Sequence, residues 1–229
     1  MSNMSEKLSI NDHINNFVQK NRKAIFIFFG AVFLALAVFI AAVSIMGAIR
    51  GKAISGVEEF ARRYEVLRFD INEPSKEAEV TALLKELTGF AEKNSGYAGG
   101  RAWFIIGGIH ADKKEWQEAE NAYAAAAKAA AKTYLAAAAY FNAAAAAEER
   151  GNQAGAVDFY TQCVSLSALF PAAARAQFAI GRLKEAQNDK AAALEAYRGV
   201  IGGWPADAVW TNLAQSRIIL LERDEETSR

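Results

Sequence analysis

The stretch WFIIGGIHADKKEWQEAENAYAAA, residues 103–126, places two apolar runs at helical spacing on either side of a polar turn, Asp112-Lys113-Lys114. Moved along the chain by 37 residues, it meets its own pattern twice: Phe104, Phe141 and Phe178 fall in one column, Ala119, Ala156 and Ala193 in a second, and Tyr123, Tyr160 and Tyr197 in a third. Gly107, Ala144 and Gly181 form a fourth column of small residues, and Trp103 and Tyr140 a fifth that ends at Gln177. A fixed period shared by independent columns predicts a repeat architecture built from helix pairs. The later turns fall at Gly151-Asn152 and Asn188-Asp189, with Pro171 and Pro205 near the unit boundaries. The small columns mark where paired helices approach most closely, since a larger side chain there would push them apart. Each tyrosine lies four residues after its alanine, on the same helix face, where it is expected to fill the space between units.

An aromatic residue, a small residue a few positions on, a turn, then an alanine with an aromatic four later and a proline near the unit's end: this pattern resembles the tetratricopeptide repeat. The first unit carries it through Trp103 to Gly107, Trp116, Ala119, Tyr123 and Ala126, and the third through Gly181, Ala193, Tyr197 and Pro205. The second is degenerate, with Ala143-Ala144 in place of a large-small pair, and the period of 37 exceeds the usual ~34. The resemblance implies a helical-repeat solenoid in which the first helix of each unit lines a groove. It places Phe104, Phe141 and Phe178 there, with Arg101, Glu148, Arg175, Arg182 and Glu185 around them. An apolar ladder with a charged rim suits a peptide that supplies hydrophobic anchors. The other reading of these phenylalanines is ordinary core between adjacent units, and the sequence leaves both open.

Upstream, AIFIFFGAVFLALAVFIAAVSIMGAI runs from Ala24 to Ile49 without a charge, between Lys20, Arg22, Lys23 and Arg50, Lys52. As a helix these residues reach about 39 Å, enough to cross a hydrocarbon layer of roughly 30 Å with some tilt. A soluble core helix so uniformly apolar would have no place for its outward face, and a signal peptide core is usually shorter. The expected fold is thus all-α, a single N-terminal transmembrane helix followed by the tetratricopeptide-like solenoid. Its expected parts are a polar leader (1–23), the span (24–49), two amphipathic helices forming a possible degenerate repeat (50–100), three repeats (101–206), a capping helix (207–222) and a disordered tail (223–229). In the leader, Ile10, Ile14, Phe17 and Val18 recur at helical spacing after Ser9, a plausible N-cap. Ala82, 37 residues before Ala119, extends the alanine column into the preceding pair. The alanine runs between Ala124 and Ala147 form helix readily but bury little area, which makes the middle unit the expected soft point.

Charge and composition narrow the function. With 26 basic and 26 acidic residues nothing favours a nucleic acid partner. One cysteine, Cys163, and two histidines, His13 and His110, make a metal site or an acid/base constellation hard to assemble, and no phosphate loop, His-Glu-x-x-His or Gly-x-Ser-x-Gly is present. No cofactor, metal or catalytic residue is expected, and the chain reads as a binding protein rather than an enzyme. Glu148-Glu149-Arg150 reads as a solvated helix end. A short leader, one anchor and a repeat domain also resemble the YfgM-type family of bacterial inner-membrane proteins. That resemblance implies a periplasmic repeat domain and, as partners, the SecYEG translocon, a PpiD-type membrane chaperone and secreted chains. The basic residues, three in the 15 positions before the span and four in the 15 after it, do not set orientation; the short leader favours a cytoplasmic N-terminus. The alternatives are a structural subunit of another membrane complex and a cytoplasmic membrane-tethered adaptor.

Overall fold

The computed structural model describes residues 10–166 and 170–227, with side chains over 14–166 and 170–223. Ser9 and the end of the tail lie outside the described residues. The described residues form nine α-helices and no strand. They divide into two units, Met1–Lys52 and Ala53–Arg229.

Helix α1, Ile10–Leu67, is unbroken through both the apolar stretch and the start of the 50–100 region, where a separate amphipathic helix is expected. The reason is local: between Arg50 and Ser55 the only weak helix former is Gly51, which costs about 1 kcal/mol, and there is no proline to end the helix. In the first unit no described side chain is buried, and Phe26, Phe33 and Leu34 stand open. This segment is long and apolar enough to cross a membrane.

The second unit begins with the end of α1. Val57, Ala61, Tyr64 and Leu67, one turn apart, share a core with Val80, Leu83, Leu87 and Ala91 of α2 (Glu77–Lys93) and with Ala98, Ala102, Ile105 and Ile109 of α3 (Gly96–Asp112). Ala82 is exposed, so the alanine column does not extend to α2. The inward face of α2 is set by its larger residues.

Three helix pairs follow: α3 with α4 (Trp116–Ala129), α5 (Leu135–Glu149) with α6 (Gln153–Leu166), and α7 (Ala173–Ala186) with α8 (Lys190–Gly203). The second helices start at 116, 153 and 190 and end at 129, 166 and 203, steps of 37 throughout. Their turns are closed alike. Glu115, Asn152 and Asp189 each donate a backbone N–H five residues back, to His110, Ala147 and Lys184, at 2.8–2.9 Å. This is the Schellman closure, which needs a left-handed residue just before the donor. Lys114, Gly151 and Asn188 supply it, with φ of 60°, 82° and 59°. Asn152 and Asp189 then cap α6 and α8 through side-chain bonds to Gly155 N and Ala192 N, both 3.1 Å.

Ala119, Ala156 and Ala193 are fully buried, and so are Ala126, Cys163 and Val200 one face-repeat further on. The tyrosines fill space within a pair and also meet the next unit: Tyr123 shares a buried cluster with Ala143 and Ala146 of α5, and Tyr160 with Ala176 and Ala179 of α7. A Cβ on Gly107 would lie 2.7 Å from the Tyr123 ring, and one on Gly181 would lie 2.6 Å from Tyr197. A final helix, α9 (Ala208–Thr227), packs on α8 through Trp210, Ala214, Ile218 and Leu221 and continues past the expected end at Glu222. No proline or glycine lies between Glu222 and Thr227 to stop it.

Candidate interaction surface on the first helices

Phe104, Phe141 and Phe178 occur once in each first helix, three residues before the small residue that admits the tyrosine. That spacing puts both on one helix face. Each phenylalanine rests on the tyrosine of its own pair, with ring centroids 5.2, 5.4 and 5.1 Å apart. A second group meets each ring as well. The Arg101 guanidinium lies 5.9 Å from Phe104, Arg175 lies 5.2 Å from Phe141, and the Trp210 ring lies 5.4 Å from Phe178. All three phenylalanines are half-buried. Each ring packs against a buried cluster of the stack and stays partly exposed.

The charges are arranged in clasps. Glu148, near the end of α5, accepts the Tyr160 hydroxyl at 2.8 Å and pairs with Arg182 of the next first helix. Glu185, near the end of α7, accepts the Tyr197 hydroxyl at 2.9 Å and pairs with Arg217 of α9. At the start of the stack Asp112 accepts Tyr64 Oη at 2.5 Å and Arg68 Nε at 3.0 Å. Each acid stands at a helix C-terminus, where the helix dipole disfavours a negative charge. An arginine and a phenol compensate for that position, and at Glu148 and Glu185 they join three helices at one point. Burial, then the bond to Glu185, pushes the Tyr197 phenol up to about 12. Burial works to raise the Glu185 carboxyl, but hydrogen bonds from Arg217 and Tyr197 outweigh it and hold the group below the usual carboxylate range.

Of the residues expected to line a groove, Phe178, Arg182 and Glu185 line one open depression of about 430 Å³, with Tyr197 and Arg217. Arg175 sits on Phe141 rather than on this depression, and Arg101 faces Glu58 at 3.8 Å. Glu148 is a clasp and not a free helix end. Its signal was available in the sequence, because Glu148 and Glu185 are 37 residues apart, as are Tyr160 and Tyr197. Their arginines, at 182 and 217, are 35 apart and so escape a search at the main period. His110 Nδ1 lies 2.6 Å from Glu115 Oε2 across the first turn, which gives this histidine a structural partner. Among the described residues no group of three or more His, Cys, Asp or Glu could hold a metal ion.

No family model matches the chain. Over 223 residues, 91% of this chain and 92% of the other, it is 30% identical to a TPR repeat-containing protein of Treponema pallidum (strain Nichols). The chain belongs to the tetratricopeptide-repeat proteins. Two solved structures of Podosopora anserina kinesin light chain-type, nearly identical TPR-like repeats, one of them a variant, share the fold. Their TM-scores are 0.54 and 0.53 at 13% identity, over 75% of this chain and 88% and 89% of theirs. Tetratricopeptide stacks are protein–protein interaction scaffolds, and the partly exposed aromatic column lies on the first helices of this one.

Proposed function

We propose that this tetratricopeptide-repeat protein is a membrane-anchored scaffold that holds protein or peptide partners against the phenylalanine column of its first helices. The observation that carries this reading is the column itself. Three aromatic rings, one per pair, are partly exposed although each is fixed on a tyrosine. Rigid aromatic anchors with part of their surface open are what binding sites use, because little rotamer freedom remains to be lost on contact. Arg101, Arg175, Arg182 and Glu185 form the polar surround, though Arg182 and Glu185 are already engaged in clasps. The main attraction is therefore apolar.

Residues 24–49 are the single membrane crossing in this reading, and their apolar side chains, none of them buried, support it. The N-terminus faces the cytoplasm and the repeats face the periplasm of a bacterial inner membrane, in the layout of the YfgM-type proteins. The partners implied by that layout are the SecYEG translocon, a PpiD-type chaperone and secreted chains. Tethering would raise the local concentration of the repeats beside such partners.

Protease digestion of intact spheroplasts, with a cytoplasmic protein as lysis control, tests the topology. Digestion of the repeats down to a protected anchor is the expected result. Full protection would put the repeats in the cytoplasm and end the translocon reading in favour of a tethered adaptor. For the surface, photo-crosslinking groups at Phe141 and Phe178 should capture a transiting chain, while one at exposed Glu195, on a second helix, should not. Equal capture from all three would sink the column as the binding surface.

A further inference from the structure

Helix α9 stands in the register of a first helix, displaced from α7 by 35 residues. Three matched contacts fix that displacement. Arg175 lies on Phe141 as Trp210 lies on Phe178, Arg182 pairs with Glu148 as Arg217 pairs with Glu185, and Ala179 and Ala214 are both buried. In the same register Leu213 takes the place of Phe178, Ser216 that of Gly181, Leu220 that of Glu185 and Val209 that of Ala174. Across α3, α5 and α7 these columns are the ones a second helix covers, with its tyrosine seated on the small residue. On α9 nothing covers them among the described residues. Val209 is 64% exposed, Leu213 45% and Leu220 37%, and a depression of about 410 Å³ opens over Ala208, Val209, Asn212, Leu213 and Ser216.

We propose that this face of α9 is a docking site for an amphipathic helix of a partner protein, seated as α4, α6 and α8 are seated on α3, α5 and α7. The vacant columns continue the interface that already joins each pair, and this continuity specifies the occupant. It must bring a small residue and, four positions later, a large one that drops onto Ser216. Tyrosine is disfavoured in that place. The hydroxyls of Tyr160 and Tyr197 are accepted by Glu148 and Glu185, whereas Leu220 offers no acceptor, and a buried hydroxyl without a partner is costly. Phenylalanine or leucine fits instead. Over Asn212, Leu213 and Ser216 the face carries no charge, and Arg217 and Arg223 flank it, so the middle of the partner's contact stripe is uncharged too.

The test uses the full chain in lipid nanodiscs and a fluorescent, stapled helical peptide with the sequence of residues 190–203 carrying Tyr197→Phe. Saturable binding by anisotropy is expected, weakened by at least about tenfold on changing Ser216→Trp or Leu213→Glu in the chain, as for a central anchor. Both positions are exposed, so neither change threatens the fold. The peptide with tyrosine retained should bind several-fold more weakly, and Phe141→Ala should leave binding intact, which separates this surface from the phenylalanine column. Absence of saturable binding, or binding indifferent to Ser216→Trp and Leu213→Glu, overturns the proposal. So does self-association of the nanodisc-embedded chain that Ser216→Trp abolishes, because the occupant would then be a second copy.

Discussion

Lys114, Gly151 and Asn188 hold one structural position, 37 residues apart, yet only the middle one is the residue that left-handed backbone favours. A β-carbon in that conformation costs on the order of 1 kcal/mol, asparagine being the mildest case after glycine. Lys114 is exposed, so no packing is lost when it is replaced. Lys114→Gly should therefore stabilise the fold by about 0.5 kcal/mol once the extra freedom of glycine in the unfolded chain is counted, and Gly151→Ala should cost about 1 kcal/mol. Urea denaturation followed by circular dichroism measures both; a lower midpoint for Lys114→Gly would refute the account. The turns were legible in the sequence, but the shared left-handed residue within them was not, because lysine, glycine and asparagine share no side-chain property. What they share is a backbone angle. The alanine and tyrosine columns were legible because each fills a space of fixed size, where Gly107 and Gly181 leave room only for the ring opposite.

At the scale of elements, the clasp is the unit that repeats. Tyr197 shows how it reads out in pH. Its folded-state value is raised, to about 12, from an ordinary value near 10. A raised value means the fold favours the protonated phenol. Its contribution is complete below about pH 10 and is lost as pH climbs through 12. Glu185 acts at the other end of the scale: held below its ordinary range, it contributes stability that disappears as pH falls through its lowered value. Melting temperature between pH 9 and 12 should fall for the native chain and fall less steeply for Tyr197→Phe, in which Arg217 still satisfies Glu185. An unchanged slope would mean that the Tyr197 phenol does not titrate with folding. The sequence carried half of this element. Glu148 and Glu185 and their phenols keep the period of 37, Asp112 and Tyr64 do not, and α9 sits two residues out of step, because the Trp204–Asp207 connection is its own shape. The ends of helices were less legible than their faces: α1 runs on past the apolar stretch because no residue in Gly51–Ile54 stops it, and periodicity says nothing about stops.

In the whole stack, each helix pair has neighbours on both sides, α2 before the first and α9 after the third. Differences in local stability then come from what each interface buries, as in any linear array. The interior is uneven. The cluster joining the end of α1 to α2 and α3 buries Val57, Leu67, Val80, Leu83, Leu87, Ile105, Ile106 and Ile109. From α5 onward the buried residues are mostly alanine: seven of the eight in α5, and four of the six in α7. The soft region expected for the middle pair therefore extends to the third. Each leucine or isoleucine replaced by alanine removes roughly 2 kcal/mol of burial, so the C-terminal half should open at lower free energy than the N-terminal cluster. Cys163 is placed to report it. It is fully buried in α6, the only cysteine in the chain, and burial pushes its thiol up to about 11. At pH 8 the closed protein should thus resist a thiol reagent, and labelling should proceed through opening alone. Labelling of Cys163 in increasing urea, set beside hydrogen exchange of residues 80–91 and 102–109, should give an opening free energy lower for Cys163 by about 2 kcal/mol or more. If Cys163 opens only together with α2 and α3, the stack unfolds as one cooperative body, and the alanine-rich interfaces are as strong as the leucine-rich one despite their smaller area.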